Sequence, residues 1–387
     1  MRKVAVTIFI LTLAAYALTA SPVRVGAERM GEYLPLLAGK KVGLVANHTS
    51  LVGKTHLLDT LRTCGVNVLR VFAPEHGFRG TAEAGESIVG YVDARSGVEV
   101  ASIYGRSKKP SAEQLRGVQV MLFDMQDVGA RFYTYLSTLH YVMESCAESG
   151  IPLIVLDRPN PNGSCTDGPV LQPQFRSFIG MHPIPIAHGM TLGELARMIN
   201  GEGWLKNGVK CALTVISCEN YSRATPYNLP VKPSPNLPDM RSIYLYPSMC
   251  LLEGTIMSLG RGTDAPFQVY GHPNWKEKSF TFTPRSIRGV AKHPPHENRL
   301  CYGIDLKGLS LDTLRRLQVL NLDYLIESYR YFAPREKFFT PFFSRLAGTS
   351  TLQKQIEQGW SAEKIRASWK PELDEFKQRR EKYLLYN

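Results

Sequence analysis

The sequence predicts an α/β protein, with a Rossmann-like, doubly wound and mostly parallel sheet domain followed by a smaller α+β C-terminal domain. Over the first half of the chain, short Val/Ile/Leu-rich runs alternate with helical patterns. Such a rhythm is typical of a parallel sheet that helices cover on both faces. Beyond a proline-rich tract the rhythm changes, and a length of 387 residues suits two domains. We therefore expect a Rossmann-like domain over 27–245 and a smaller α+β domain over 246–387, with a cleft between them.

The elements of the first domain follow from apolar periodicity. Helices are predicted over 54–64 and 131–148 and from Thr191, where Thr191 and Glu194 have the spacing of a capping box. The predicted strands are KVGLVAN (41–47), VNVLRVFAP (66–74), VEVASIYG (98–105), VQVMLFDMQ (118–126), IPLIVLD (151–157), PIPIAHG (183–189) and CALTVISCEN (211–220).

The tract NLPVKPSPNLPDM (228–240) separates the two domains. Its prolines exclude both a helix and a central strand, so it is either a linker or a wall of the active site. Strands over 255–306 and helices over 311–330 and 361–384 are expected beyond it.

The first 20 residues read as a secretory signal peptide, since two positive charges precede an apolar run and then small residues. An uncleaved N-terminal anchor is the alternative. No later segment is as apolar, so we expect no membrane association after cleavage. An exported protein is expected, in the periplasm or alternatively outside the cell.

Seven cysteines without a CxxC indicate neither a zinc ribbon nor a dense disulfide framework.

The net charge of +12 favours anionic partners. The basic residues are scattered along the chain, and no basic helix or aromatic sheet motif accompanies them, which argues against nucleic acid. An anionic cell-wall polymer suits an exported chain better.

Polar side chains follow five of the predicted strands. In open parallel sheets, ligands bind outside the carboxyl ends of the strands, so these residues are expected to share a site. The candidates are Asn47 and His48, then Glu75, His76 and Arg79, then Asp124, Gln126, Asp127, Arg131 and Tyr133, then Arg158 and Asn160, and finally His188.

Several familiar motifs are missing. The sequence contains neither GxGxxG after the first strand nor GxxxxGK[ST], so no nucleotide cofactor is expected. The absence of GxSxG removes the nucleophile elbow of an α/β hydrolase.

Two mechanisms remain compatible with the candidates. In glycoside hydrolysis, one carboxyl group with a pKa raised by burial acts as general acid opposite a second carboxylate. Glu75 suits the acid, because it follows an apolar strand in a glycine-flanked turn. The alternative is a metal site built from histidines and aspartates, but no HxxxH or HxH spacing supports it, so no metal is predicted.

The remaining roles are less well determined by the sequence. Asp124 and Asp127 are candidates for the second catalytic group, although Asp127 could simply cap a helix. Arginine forks suit a carboxylate ligand, although pairing with neighbouring aspartates explains each of them equally well.

Together, the motifs resemble a known family. NHTS (47–50), APEHGFRG (73–80), DMQDVGARFYTY (124–135), LDRPNPNG (156–163), HGMTLGELA (188–196), PSPNLP (233–238) and YPSMCLLEGTIMSLGRGTDAPFQVYGHP (246–273) are similar to the exo-β-N-acetylmuramidases of glycoside hydrolase family 171, the NamZ-like family.

The resemblance implies a secreted glycosidase that removes terminal N-acetylmuramic acid from the non-reducing end of peptidoglycan fragments. It places the family's catalytic glutamate at Glu75, without a cofactor. Its substrate carries a lactyl carboxylate, for which Arg79, Arg131 or Arg261 is the expected contact. Asn236 and Glu253 are expected to close the cleft from the C-terminal side.

The second catalytic partner stays open between retaining, inverting and substrate-assisted routes, with Asp127 preferred. The competing functions are hydrolysis of another amino sugar, which would lack the lactyl group, and a periplasmic protein that binds muropeptides without cleaving them.

Overall fold

The structure is a computed structural model that describes residues 21–79, 90–105, 107–275, 277, 279–332 and 337–387. The predicted signal peptide, 1–20, lies outside the described residues. The helices are α1 Met30–Leu37, α2 Leu57–Thr63, α3 Tyr135–Ser149, α4 Leu192–Gly201, α5 Met240–Met249, α6 Leu311–Arg315, α7 Asp323–Tyr331, α8 Phe343–Ala347, α9 Thr351–Glu357 and α10 Ala362–Arg380. The strands are β1 Lys41–Ala46, β2 Leu51–Val52, β3 Thr55–His56, β4 Asn67–Ala73, β5 Tyr91–Val92, β6 Glu99–Ser102, β7 Val120–Asp124, β8 Leu153–Leu156, β9 Thr166–Asp167, β10 Ala187–His188, β11 Leu213–Ile216, β12 Val269–His272, β13 Phe280–Phe282 and β14 Cys301–Asp305.

The central sheet has seven strands in the order β11-β8-β7-β1-β4-β6-β5. All neighbours are parallel except β5, which pairs antiparallel with β6 at the edge. Successive residues point to opposite faces, so Leu122 lies in one apolar cluster with α1 and α2 and Phe123 in another with α3 and α4. This doubly wound arrangement confirms the predicted fold class.

Two predicted elements of the first half differ from those observed, and the helix predicted over 311–330 is two helices, α6 and α7. The segment 183–189 does not join the sheet; only its last strand residues, β10, pair antiparallel with β9. Pro183 and Pro185 lack the N–H groups that a central strand needs. The helix predicted from Arg131 begins at Tyr135, because the Arg131 backbone N–H bonds to the carbonyl of Ile186 at 2.7 Å in a preceding turn.

The second half contains a three-stranded antiparallel sheet, ordered β12-β14-β13, and helices. Helix α5 was not predicted. It begins inside the proline-rich tract, where Asp239 caps it by accepting a hydrogen bond from the Ser242 backbone N–H at 2.9 Å. The predicted domain boundary at 245/246 falls within this helix.

The C-terminal chain returns to the first half. The Trp369 indole donates to Asp167 at 3.0 Å, and the Tyr386 hydroxyl donates to Asp157 at 2.7 Å. One large apolar cluster contains residues of both halves, so the cleft between them is framed by a shared core.

Within the described ranges, no helix has both the length and the apolar character needed to span a bilayer.

Candidate active site

A cavity of about 170 Å³ lies where the carboxyl end of β4 and the start of α3 meet the second half. It draws its lining from both halves of the chain. Six residues proposed from the sequence line it: Glu75, His76, Tyr133, Asn236, Glu253 and Arg261. The structure therefore brings together side chains that are up to 186 positions apart in the sequence.

The turn that carries Glu75 follows β4 directly. The Gly77 backbone N–H bonds to the carbonyl of Pro74 at 3.0 Å. His76 has a φ of 69° and Gly77 one of 73°, and a positive φ at the third residue is what a type II turn requires. For a histidine this conformation is strained, and such strain is concentrated at functional sites. The turn holds Glu75 and His76 against the cavity.

The carboxylate of Glu75 is held at both oxygens. Tyr104 donates its hydroxyl to Oε1 at 2.9 Å, and Thr134 donates its hydroxyl to Oε2 at 2.6 Å. Burial first, and then the neighbouring Glu75 charge, raises the pKa of Tyr104 far above its usual value, so its phenol stays protonated and remains a donor. Glu75 itself is only 9% exposed. The side chain is thus positioned rigidly and largely shielded from water.

Glu253 and Arg261 form the opposite side of the cavity. Arg261 donates through Nε to Glu253 Oε1 at 2.8 Å, and its Nη2 lies 2.6 Å from the same oxygen. The guanidinium lies 5.0 Å from the ring centre of Phe267, whose φ of 61° is unusual for an aromatic residue. Among the described residues, Nη1 of Arg261 has no hydrogen-bond acceptor. This nitrogen is suited to an anionic ligand group.

The proline-rich tract is a wall of the cavity, which answers one question that the sequence left open. Ser234, Asn236 and Leu237 line the cavity. Tyr133 donates its hydroxyl to the carbonyl of Pro233 at 2.9 Å and so ties the tract to the first half. Asn236 donates to the carbonyl of Val290 at 2.8 Å.

Asp124 and Arg158 lie together beneath the strand ends, outside the cavity lining. Arg158 donates to both oxygens of Asp124, at 2.5 and 2.8 Å, and also to the carbonyl of Leu51 at 2.8 Å. The side chains are 0% and 3% exposed. This buried bidentate pair gives Asp124 a structural environment, in place of the catalytic position proposed from the sequence.

Two of the three arginines proposed for the lactyl carboxylate are engaged elsewhere. Arg131 is 1% exposed and donates to four backbone carbonyls, those of Pro169, Ile184, Leu346 and Ala347. Burial lowers its pKa to about 9. Arg79 forms an ion pair with Asp93 at 2.7 Å. Arg261 alone of the three lines the cavity.

Asp127 is also buried, next to His188. Its Oδ2 accepts a hydrogen bond from the Gly129 backbone N–H at 2.6 Å and lies 3.7 Å from His188 Nε2. Burial lowers the pKa of His188 to about 3, so the imidazole is neutral. Asp127 shapes the turn before α3 and does not line the cavity, which gives no support to its proposed role as the second catalytic group.

We expect Asp127→Asn to change how stability depends on pH. Burial raises the pKa of Asp127 from 3.8 to about 7, against the lowering effect of the Gly129 and Val128 backbone N–H groups. Between these values the folded protein keeps a proton that the unfolded chain releases, so the contribution of Asp127 to the free energy of unfolding falls as pH rises. Asparagine does not titrate. Relative to the wild type, the variant should therefore gain stability between about pH 4 and about pH 7, measured by urea unfolding. If the difference in the free energy of unfolding between Asp127→Asn and the wild type stayed constant across this pH range, Asp127 would have to be ionised in the folded protein.

The other proposed residues support the cavity from behind. His48 bonds through Nε2 to the carbonyl of Lys232 at 2.8 Å, which fastens the proline-rich tract. Asn47 donates to the Tyr135 hydroxyl at 2.8 Å. Gln126 donates to the carbonyl of Pro159 at 2.8 Å, and Asn160 to that of Met190 at 2.9 Å. These contacts join neighbouring strand-end loops.

Sequence reasoning missed several residues of the site. Thr134 follows the proposed Tyr133 directly, and Tyr246 and Phe267 belong to the long second-half motif, so position could have indicated them. Tyr104 had no motif signal, because only the folded chain brings it to Glu75.

Within the described residues, no group of three or more His, Cys, Asp or Glu side chains is arranged to hold a metal ion.

Comparisons with known proteins agree with this architecture. Family models described as exo-β-N-acetylmuramidase NamZ, N-terminal and C-terminal, match residues 42–241 and 244–386. The peptidoglycan β-N-acetylmuramidase NamZ of Bacillus subtilis (strain 168) is 38% identical over 375 residues, which cover 92% of this chain and 89% of that protein.

Two solved structures share the fold. Both are DUF1343 family proteins of Bacteroides fragilis NCTC 9343. One has a TM-score of 0.88 and 48% identity, covering 95% of this chain and 99% of the other. The second has a TM-score of 0.79 and 26% identity, covering 94% and 99%. With two family models spanning nearly the whole described chain and this level of identity, the chain belongs to the exo-β-N-acetylmuramidase NamZ family.

Proposed function

We propose that this glycoside hydrolase removes terminal N-acetylmuramic acid from the non-reducing end of peptidoglycan fragments, with Glu75 as general acid. The observation that carries the proposal is the Glu75 carboxyl group, held by two hydroxyls in a cavity that also contains Arg261. The name of the Bacillus subtilis relative, a peptidoglycan β-N-acetylmuramidase, supports the same substrate class.

In this role Glu75, in its protonated form, transfers its proton to the oxygen of the bond that breaks, so that the leaving sugar departs as a neutral alcohol and Glu75 is left as a carboxylate. Tyr104 and Thr134 hold the carboxyl group in one orientation, which supports proton transfer to a fixed point in the cavity. The low exposure of Glu75 limits competition from bulk water.

Glu253 is a better candidate than Asp124 or Asp127 for the second catalytic carboxyl group. Of the carboxylates in the described chain, Glu75 and Glu253 line the cavity, whereas Asp124 and Asp127 do not. Arg261 holds Glu253 in place. A substrate-assisted route would use a second acid to orient the acetamido group of the sugar, and Glu253 is available for that task.

Arg261 is proposed to bind the lactyl carboxylate, which distinguishes N-acetylmuramic acid from N-acetylglucosamine. Its Nη1 has a free donor position within the described residues, and a guanidinium suits a carboxylate. The positive net charge would attract the anionic polymer. The predicted signal peptide supports an exported enzyme that acts on the cell wall, in the periplasm, during its degradation and recycling.

The test compares a chromogenic β-N-acetylmuramide with the matching N-acetylglucosaminide, which differs only at the lactyl group. We expect the wild type to hydrolyse the muramide with a kcat/KM at least about tenfold higher, because an ion pair is lost with the lactyl group. Arg261→Gln should reduce this preference. Hydrolysis of neither substrate, with muropeptide binding retained, would instead indicate a binding protein.

A further inference from the structure

A second, larger depression lies beside the active site. It is an open groove of about 620 Å³ between α3 and the loops on either side of α4. Its lining includes Tyr141, Glu144, Arg176, Met181, Trp204 and Lys206. None of these residues was singled out by the sequence motifs, and the proposed reaction at Glu75 does not use them.

Helix α3 connects this groove to the active site. Its N-cap, Thr134, donates to Glu75, and Tyr141 lies seven residues further along the helix. Residues seven apart share a helix face and are about 10 Å apart along the axis. Ser137, on the same face, donates to the carbonyl of Phe178 at 2.6 Å and fixes the loop that borders both depressions. The groove therefore begins about two helical turns from the catalytic carboxyl group.

A row of aromatic rings leads in the same direction. Tyr104, which bonds to Glu75, has its ring centre 5.9 Å from that of Phe178. Phe178 is stacked on Tyr141 at 6.2 Å with an angle of 12° between the planes. The ammonium group of Lys108 lies 4.2 Å from the centre of the Phe178 ring. The path from the cavity to the groove is thus aromatic and basic.

The groove is rigid at its base and positive at its rim. Trp204 is stacked on His182 at 5.2 Å, and His182 bonds to His140 at 3.0 Å. Arg176 and Lys206 are exposed. The Glu144 carboxylate lies 2.6 Å from the Lys109 ammonium group and is largely buried, so its charge is compensated. Half-buried aromatic rings with nearby cations suit sugars that carry carboxylates.

We propose that this groove binds the leaving-group side of the glycan chain, meaning the amino sugars next to the one that is removed. Tyr141 and Trp204 stack against these sugars, and Arg176 binds the lactyl carboxylate of the next N-acetylmuramic acid. The proposal rests on the exo-muramidase function. The volumes of the cavity and the groove agree with this proposal. The smaller cavity suits the one terminal sugar that is removed, and the larger, open groove suits the chain that continues from it.

The experiment compares two substrates. One is a peptide-free tetrasaccharide of alternating N-acetylmuramic acid and N-acetylglucosamine with a non-reducing muramic end, and the other is the chromogenic muramide. In the double variant Tyr141→Ala/Arg176→Gln, kcat/KM for the tetrasaccharide should fall about tenfold, since a stacking contact and an ion pair are lost. The value for the small muramide should change less than about twofold. Arg116→Gln, an exposed arginine away from the groove, is the matched control.

The outcomes separate this proposal from the proposed function. If the wild type hydrolyses the muramide and the double variant treats both substrates like the wild type, the groove proposal is wrong while the function stands. If the wild type hydrolyses neither substrate, the function is wrong. In that case the leaving-group role is wrong as well, and calorimetric affinity for the tetrasaccharide tests glycan binding alone: equal dissociation constants for wild type and double variant would overturn binding in the groove, and weaker binding by the variant would support it.

Discussion

Glu75→Gln is expected to reduce kcat for a natural glycosidic bond of N-acetylmuramic acid at least about a hundredfold, as for loss of a general acid. The amide has nearly the same shape but cannot deliver a proton to the leaving oxygen. One of the two hydroxyls, of Tyr104 or Thr134, can still donate to the remaining carbonyl oxygen, and the other can rotate to accept from the new amide N–H, so the fold should be retained. The measurement is steady-state kinetics with substrates of different leaving-group pKa.

A substrate series sharpens this test. The loss should be smallest for substrates with acidic leaving groups, which need little protonation, and largest for natural glycosidic bonds. Glu113→Gln, at an exposed glutamate that is not part of the cavity lining, is the control and should behave like the wild type. Equal losses across all leaving groups would point to a role for Glu75 other than that of the acid.

Arg158→Ala is expected to lower the free energy of unfolding by about 3–5 kcal/mol, the range for removing one partner of a buried ion pair. The substitution leaves the Asp124 carboxylate, with an exposure of 0%, without its bidentate partner. It also removes the hydrogen bond to the carbonyl of Leu51. Urea unfolding followed by circular dichroism measures the loss.

The matched control is an exposed pair. Arg24 and Glu219 form an ion pair with side chains 51% and 37% exposed, so Arg24→Ala should cost no more than about 1 kcal/mol. If the two substitutions had similar effects, the Asp124 site would have to be accessible to water in solution. Should Arg158→Ala fail to fold, Arg158→Lys, which keeps the charge but loses the bidentate geometry, gives a smaller measurable loss.

Much of the fold could be predicted because its signals are local. The buried strands at 41–46 and 120–124 are nearly continuous apolar runs, which the burial of parallel sheets on both faces requires. The helix after Thr191 was predicted from its capping box, and the structure contains both of that motif's hydrogen bonds. The segment at 183–189 was assigned to the sheet because it continues the alternation of short apolar runs with helical patterns. Its prolines exclude it from the central sheet, and its last residues, β10, pair with β9 instead.

The site was predictable only as a region. The rule that ligands bind at the carboxyl ends of parallel strands directed attention to the strand-end loops, and the same loops form the cavity. It could not separate side chains that reach the cavity, such as Glu75, from those that turn inward beneath it, such as Asp124. Both types follow apolar strands, and both are polar.

The sequence by itself determined the α/β class, the family and the turn at 74–77, since these depend on residue order and on backbone preferences within a few positions. Only the tertiary structure decided that Arg261 lines the cavity, that Arg131 donates hydrogen bonds to backbone carbonyls, and that Tyr104 donates a hydrogen bond to Glu75. These assignments depend on which distant segments meet. A buried arginine or carboxylate forms hydrogen bonds with the groups that the packing places next to it, because an unpaired buried charge is strongly destabilising.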